Sequence, residues 1–317
     1  MTEIVAAVDC GTNSIRLLVA RAGDAGLVDL HREMRVVRLG QGVDATGSFA
    51  DEAIERTRVA LADYVTTMKQ HGVTAVRMVA TSASRDASNR DEFFTMTRDL
   101  LGQVVPGSVA EVITGDEEAR LSFAGAVGDL DPAQGPFVVV DLGGGSTEVV
   151  VGDSGGVHAA YSANIGCVRL TERCLHSDPP TDQEISAARS VIEELLSDAF
   201  SRVSVDGART FVGVAGTMTT LAALAADLPV YDPELIHLSR VDFGALSDVC
   251  WRLVRMSRSE RAALGPMHEG RVDVIGGGSL VTLELARIIA EKTSITELVV
   301  SEHDILDGIA LSLLVSH

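Results

Sequence analysis

Residues 4–19, "IVAAVDCGTNSIRLLV", and residues 136–151, "PFVVVDLGGGSTEVVV", are two copies of one pattern. Each runs as an apolar strand, Asp, any residue, Gly, two more residues, Ser, and a second apolar-rich strand. Asp9 matches Asp141, Gly11 matches Gly143 and Ser14 matches Ser146, at a constant offset of 132. One such turn is weak evidence. Two, each heading a domain-sized half, mark an internal duplication and restrict the chain to a fold built from two related lobes.

The turns themselves are unusual. A plain hairpin needs one or two residues of turn chemistry, yet the second copy spends three successive glycines and their backbone entropy. A hairpin turn and a loop approached closely by a ligand both remain open on this segment alone. In a P-loop or a dinucleotide fingerprint the glycines would open a helix. Here "IRLLVA" and "EVVVGD" are short and β-branched, so each turn is expected to join antiparallel strands. Backbone N–H groups of such a turn can form an anion-binding concavity, and an adjacent carboxylate can hold a hydrated divalent cation.

The remainder alternates in the α/β manner. The first half is expected to hold a helix over 51–71, a strand over 73–81, a helix over 90–102, a strand over 108–114 and a helix over 116–127. The second is expected to hold strands at 136–151 and 157–163, a helix over 182–200, a strand over 210–216, helices over 217–227, 242–256 and 273–291, a strand over 297–301 and a helix over 304–315. The expected domains are 1–124 and 125–317, with the last helix free to pack back on the first lobe. A cleft between the lobes, with one phosphate turn on each wall, is the expected site.

Bulk properties exclude several classes. With 317 residues, 46% hydrophobic and 22% charged, the chain is globular and long enough for two cores. No run approaches the ~18–20 apolar residues of a membrane span. The start "MTEIVAAVDCG" has no basic n-region, so no signal peptide and a cytoplasmic location are expected. A net charge of −19 argues against nucleic-acid binding. That charge is uneven, −5 through residue 124 and −14 beyond it. Cys10, Cys167, Cys174 and Cys250 are scattered without C-x-x-C spacing, so reduced structural thiols are expected. The eight histidines show no metal-ligand spacing and are expected to be structural.

With both Asp-Gly turns placed, the chain resembles the acetate and sugar kinase/actin superfamily. Within it, it resembles the exopolyphosphatase/guanosine-pentaphosphate phosphatase family, in a short two-domain form. The matching segments are "DCGTNSIRLLV", "ATSASRDASN" (80–89), "VITGDEEARLSF" (112–123), "VVVDLGGGSTE" (138–148), "IGCVRLTE" (165–172), "GVAGTMTTLAAL" (213–224) and "RVDVIGGGSLV" (271–281). The resemblance implies an α/β fold of two duplicated actin-like, ribonuclease H-like lobes. It implies hydrolysis of a terminal phosphoanhydride, releasing orthophosphate from polyphosphate or converting guanosine pentaphosphate to the tetraphosphate, with Mg²⁺ as cofactor. Family members are often dimers, so a homodimer is one expected assembly.

The resemblance also implies roles. Gly11, Thr12, Asn13 and Ser14 would cradle phosphates from one lobe, and Gly143, Gly144, Gly145, Ser146 and Thr147 from the other. Asp141 and Glu148 match positions that hold magnesium or the attacking water, and Asp9 is their counterpart in the first lobe. In "GDEEAR" the catalytic acid would be Glu118, directly before Ala, with Glu117 the alternative; at ~100° per residue the two cannot face one way. Acids in a first helical turn also follow from the macrodipole alone. Arg85 matches a family arginine near the substrate path, the alternative being a surface ion pair. Arg169 and Arg271 lie in matched segments, with contact to substrate left open. Gly213, Gly216 and Thr217 form a strand-to-helix turn suited to phosphate or a nucleoside.

Three departures stand out. Cys10 occupies a position that is commonly apolar, where a buried, inert thiol is expected. Leu306-Asp307-Gly308 replaces the Arg-Glu-Gly of many members, and the further helical domains of longer relatives have no counterpart in these 317 residues. Two other functions stay open at this level: a kinase of the same superfamily, and a nucleotide- or polyphosphate-binding regulator with weak catalysis.

Overall fold

The computed structural model describes residues 3–23 and 26–315 and divides the chain into two compact units. The first comprises residues 1–125 together with 305–317, and the second residues 126–304.

In the first unit, β1 (Ile4–Cys10), β2 (Ser14–Gly23) and β3 (Gly26–Val36) form an antiparallel meander. Then come α1 (Val43–Thr46), α2 (Asp51–His71), β4 (Ala75–Ala80), α3 (Ser82–Asp86), α4 (Arg90–Leu101), the two-residue β5 (Glu111–Val112) and α5 (Gly115–Ala126). The sheet order is β3-β2-β1-β4-β5, with β4 parallel to β1 and β5 parallel to β4. Strand β1 is buried on both faces and its side chains alternate between two cores. Ala6, Val8 and Cys10 join Leu61, Tyr64 and Phe93 on one face, while Val5 and Ala7 join Ile305, Leu306 and Ile309 on the other.

The second unit holds β6 (Phe137–Leu142), β7 (Thr147–Asp153), β8 (Gly156–Ala163), α6 (Cys167–Cys174), α7 (Asp182–Arg202), β9 (Thr210–Val214), α8 (Ala215–Ala225) and α9 (Pro233–Ile236). It continues with β10 (Ser239–Asp242), α10 (Phe243–Arg255), α11 (Arg258–Ala262), α12 (Ile275–Lys292) and β11 (Glu297–Val300). Read from β8, its sheet runs β8-β7-β6-β9-β11-β10, repeating the first sheet's order with one added antiparallel edge strand. Strand β6, "FVVVDL", is buried at every position, as a central strand covered by helices on both faces must be. The two mixed sheets with flanking helices make the duplicated α/β fold that the repeat and the family resemblance imply.

The last helix, α13 (Ile305–Val315), belongs to the first unit, so the second ends at Asp304 and not at residue 317. Its apolar face covers the side of the first sheet that α2 and α4 leave open. Gly308 lets α13 pack closely on α5: a Cβ there would lie 2.7 Å from the Leu121 carbonyl carbon. Strand 108–114 shrinks to two residues, because only Glu111 and Val112 reach the edge of β4. Strand β3 was not anticipated, since its sequence "GLVDLHREMRV" carries too many charges to signal a strand.

Candidate active site

Each unit carries one Asp-Gly turn. In the first, the Gly11 N–H donates to Ser14 O at 2.9 Å, and in the second the Gly143 N–H donates to Ser146 O at 3.1 Å. The same bond closes both turns at positions 132 apart.

The second turn explains its three glycines. The Gly143 carbonyl accepts from Cys167 N–H at 3.0 Å, and the Gly144 carbonyl accepts from Val168 and Arg169 N–H at 2.9 and 3.1 Å. These carbonyls cap the start of α6, whose N-cap residue, Gly166, offers no side chain for the purpose. In a trans peptide the following N–H lies opposite the carbonyl. The Gly144 and Gly145 N–H groups therefore face away from α6 and can converge on an anion. Close approach also dictates Gly166: a Cβ there would sit 2.5 Å from Gly144 O and 2.6 Å from Gly145 N. In the first unit, Thr12 O accepts from Gly40 N–H at 2.8 Å, and Asn13 O accepts from Val37 and Arg38 N–H at 3.0 and 2.8 Å. The Asn13 and Ser14 N–H groups are turned outward in the same manner. Ser146 and Thr147 are buried, and the Thr147 hydroxyl donates to Ile165 O at 2.5 Å.

The acidic run 116–118 is sorted by the helix. Asp116, 61% exposed, pairs with Arg120, and Glu117, 44% exposed, pairs with Arg77. Glu118 alone turns inward: its side chain is 9% exposed and accepts from Arg85 Nη1 at 2.7 Å. Arg85 comes from the short helix α3 and also donates to Ile113 O at 3.2 Å, so it is not a solvated surface pair. Burial raises the Glu118 pKa above the ordinary carboxylate range, Arg85 opposes that rise, and the charge of Asp9 adds to it.

Asp9 and Asp141 close β1 and β6 at matched positions, but their surroundings differ. Arg16 reaches one Asp9 carboxylate oxygen through Nη2 at 2.7 Å and Nε at 3.0 Å. The residue facing Asp141 across the hairpin is Glu148, which is buried and accepts from Ser162 Oγ at 2.6 Å. Two buried, directly opposed carboxylates repel unless positive charge is supplied. They form a hard-oxygen donor set of the kind Mg²⁺ takes while keeping several waters. Asp141 and Glu148 thus offer oxygen donors that fit a magnesium ion, as does Asp9 in the first unit, whose carboxylate is also held by Arg16.

Gly216 and Thr217 lie in the first turn of α8, which has no side-chain cap. Ala215, just before them, has φ +71°, a left-handed conformation costly for a residue with a Cβ. Arg271 rests on Gly216, where a Cβ would be 2.5 Å from its Nε, and donates through Nη1 to Thr220 Oγ1 at 3.0 Å. Its guanidinium lies 5.9 Å from the Tyr231 ring centroid, and the Tyr231 hydroxyl donates to Glu302 at 2.5 Å. Tyr231 carried no sequence signal, since it stands outside every repeated or matched segment. Gly213 is tightly enclosed by Leu298 and Met218, which makes it a packing glycine of β9. Arg169 is half-buried on α6, beside the second turn through its own N–H.

The departures resolve simply. Cys10 is buried, and burial with the neighbouring Asp9 pushes its thiol pKa far up, so it is not a nucleophile. Leu306 is core, and Asp307 accepts a two-pronged contact from Arg32 at 2.5 and 3.2 Å. Two of the histidines meet an acid in space: His237, His303 and Asp129 place one ligand atom each within 4.8 Å of one another. Their separation along the chain hid them from any spacing rule.

The geometry has clear relatives. The Ppx/GppA phosphatase family model matches residues 18–313. The chain is 64% identical over 314 residues to "Exopolyphosphatase 2" of Mycobacterium tuberculosis, covering 98% of each chain. A crystal structure of an exopolyphosphatase-like protein superposes with TM-score 0.92 at 43% identity and 98% coverage of both chains. The Aquifex aeolicus Ppx/GppA family member superposes with TM-score 0.81 at 31% identity over the whole of both chains. This chain belongs to the Ppx/GppA phosphatase family.

Proposed function

We propose that the protein hydrolyses terminal phosphoanhydride bonds, releasing orthophosphate from inorganic polyphosphate, with guanosine pentaphosphate as the other substrate its family chemistry admits. The observation that carries this is Glu118. It is the one buried carboxylate of the 116–118 run, held by Arg85, and burial raises its pKa, which makes it a stronger base toward water. A kinase would aim its base at an acceptor hydroxyl.

Glu118 orients the attacking water and takes its proton, and Arg85 fixes the carboxylate and offers remaining donors to a phosphoryl oxygen. The outward N–H groups of Asn13, Ser14, Gly144 and Gly145 bind phosphoryl oxygens. Such fixed donors stabilise the negative charge that gathers on equatorial and leaving oxygens during transfer. Arg271, braced by Thr220 and Tyr231 at the uncapped start of α8, offers a guanidinium to a phosphate group. Magnesium, when bound at Asp141 and Glu148, supplies charge neutralisation to the anionic substrate. A cytoplasmic location suits such a substrate, and no described helix is long and apolar enough to cross a membrane.

The experiment is orthophosphate release from polyphosphate and from guanosine pentaphosphate in ¹⁸O-labelled water. Label appearing in phosphate supports hydrolysis. Phosphate transfer to an acceptor without label, or binding without release, overturns it.

A further inference from the structure

We propose a second metal site, for a transition-type divalent ion such as Zn²⁺, at Asp129, His237 and His303. It stands on geometry in the second unit and does not depend on the phosphatase reading.

The three residues come from distant parts of the chain. Asp129 lies in the loop between α5 and β6, His237 directly follows α9, and His303 lies between β11 and α13. Their ligand atoms, one per residue, lie within 4.8 Å of one another, and among the described residues this is the one group of three His, Cys, Asp or Glu that does so. Asp129 Oδ2 stands 2.6 Å from His303 Nδ1 and 3.4 Å from His237 Nε2. The imidazole centroids are 4.6 Å apart, with the rings inclined at 45°. A tetrahedral zinc with bonds of about 2.0–2.1 Å has ligand–ligand edges near 3.3 Å. The Asp129–His237 pair already has that separation, and Asp129 need retreat from His303 by less than 1 Å.

The scaffold under the histidines is fixed. The Leu238 N–H donates to Val300 O at 2.7 Å, tying the His237 segment to β11. The His303 N–H donates to Ser301 Oγ at 3.0 Å, and that hydroxyl donates back to His303 O at 2.9 Å. The side chains are 48%, 23% and 36% exposed for Asp129, His237 and His303, so an ion can enter from solvent. Two imidazoles and one carboxylate select zinc-like ions over magnesium, which prefers oxygen donors throughout.

One contact must change. His237 Nδ1 accepts from the Glu302 N–H at 3.2 Å, so the neutral ring carries its proton on Nε2, 3.4 Å from Asp129 Oδ2. Metal binding at Nε2 moves that proton to Nδ1 and exchanges the Glu302 bond for the metal bond. The cluster is therefore a hydrogen-bonded set that an ion converts into a coordination site. Asp129 and His303 each lie within four residues of the points where the chain enters and leaves the second unit, so the ion would cross-link those two segments.

The test uses the full chain, stripped with chelator and held in millimolar Mg²⁺ to occupy oxygen-rich sites. Titration with Co²⁺ should give one equivalent with the intense visible bands of a four- or five-coordinate ion. Zn²⁺ should displace it with micromolar affinity and raise the melting temperature. His303→Ala and Asp129→Asn should each weaken binding at least tenfold, while Glu118→Gln should bind as the parent does. Both replaced side chains are partly exposed, and an unchanged melting temperature without metal confirms that each variant folds; should one fail, the other still decides. Absence of Co²⁺ bands in the parent, or parental affinity in a folded variant, overturns the site.

Discussion

Asp9 and Arg16 face each other directly across the β1–β2 hairpin, and both nitrogens of the Arg16 fork reach one Asp9 oxygen, at 2.7 and 3.0 Å. Adding 132 to each number gives Asp141 and Glu148, which occupy the same register in the second hairpin. The duplication has kept the aspartate, while the residue opposite it in the register is arginine in one hairpin and glutamate in the other. Asp141→Asn should therefore raise the magnesium requirement by roughly tenfold or more, with partial rescue at millimolar excess. Asp9→Asn should move it much less. A Mg²⁺ titration of phosphate release checks this, and an unshifted curve for Asp141→Asn removes that carboxylate from the metal's service.

Glu118→Gln keeps shape and hydrogen bonding while deleting the base. Turnover should fall at least ~10²-fold while the variant still folds cooperatively. Glu117→Gln breaks only the surface contact with Arg77, so activity should stay within about twofold. Reversal of this order would assign the base to Glu117.

The raised Glu118 pKa has two consequences with opposite directions. Activity needs the ionised form, so the acid limb of the rate profile should lie above the ordinary glutamate value of 4.5 and vanish in Glu118→Gln. Stability runs the other way, because the folded state binds this proton more tightly than the unfolded state does. The carboxyl's contribution is complete below about pH 4.3, the unfolded value, and is lost as pH rises through the folded value. Melting temperatures of the two proteins should diverge upward across that window, with the parent losing ground to the Gln variant. A gap independent of pH would contradict the shift.

Gly166→Ala forces a methyl into the Gly144–Gly145 backbone. The turn must move, so a loss of about 1–3 kcal/mol is expected, as for overpacking in a tight contact. Phosphate release should fall with it if the Gly144 and Gly145 N–H groups bind the substrate's phosphoryl oxygens as proposed. Chemical denaturation beside a turnover assay tests both; loss of stability with unchanged turnover would free the second turn from any catalytic duty.

Affinity for a long polyanion is built from successive neutralised phosphates. The chain carries −19 overall and −14 beyond residue 124, so binding should be confined to the turns and a few arginines such as Arg85. Outside them a long chain meets repulsion screened over roughly 8–10 Å at physiological salt. Preference for short polyphosphates or guanosine pentaphosphate and distributive release are expected. A gel time course showing intact and fully degraded polymer with no intermediate ladder would establish processivity instead.

The repeat was legible without coordinates because a turn that must bring backbone amides together leaves a local signature, Asp-x-Gly-x-x-Ser between two apolar strands. Hydrophobic periodicity likewise placed α2, α4 and α7 nearly to the residue, since a helix's buried face is set by neighbours three and four positions away. Side-chain orientation and distant partners are not local. The three consecutive acids by themselves did not separate Glu118 from Glu117; the family resemblance favoured Glu118, and the structure shows it to be the buried one of the three. The home of α13 depended on which sheet face lay uncovered. Tyr231 beneath Arg271, and Asp129 beside two histidines 66 residues apart, are contacts between segments that share no spacing. Sequence thus determined the two turns and the long periodic elements, which depend on short-range periodicity and backbone sterics, but not the charged strand β3. The tertiary structure alone decided which charged groups meet, because that depends on how the elements pack.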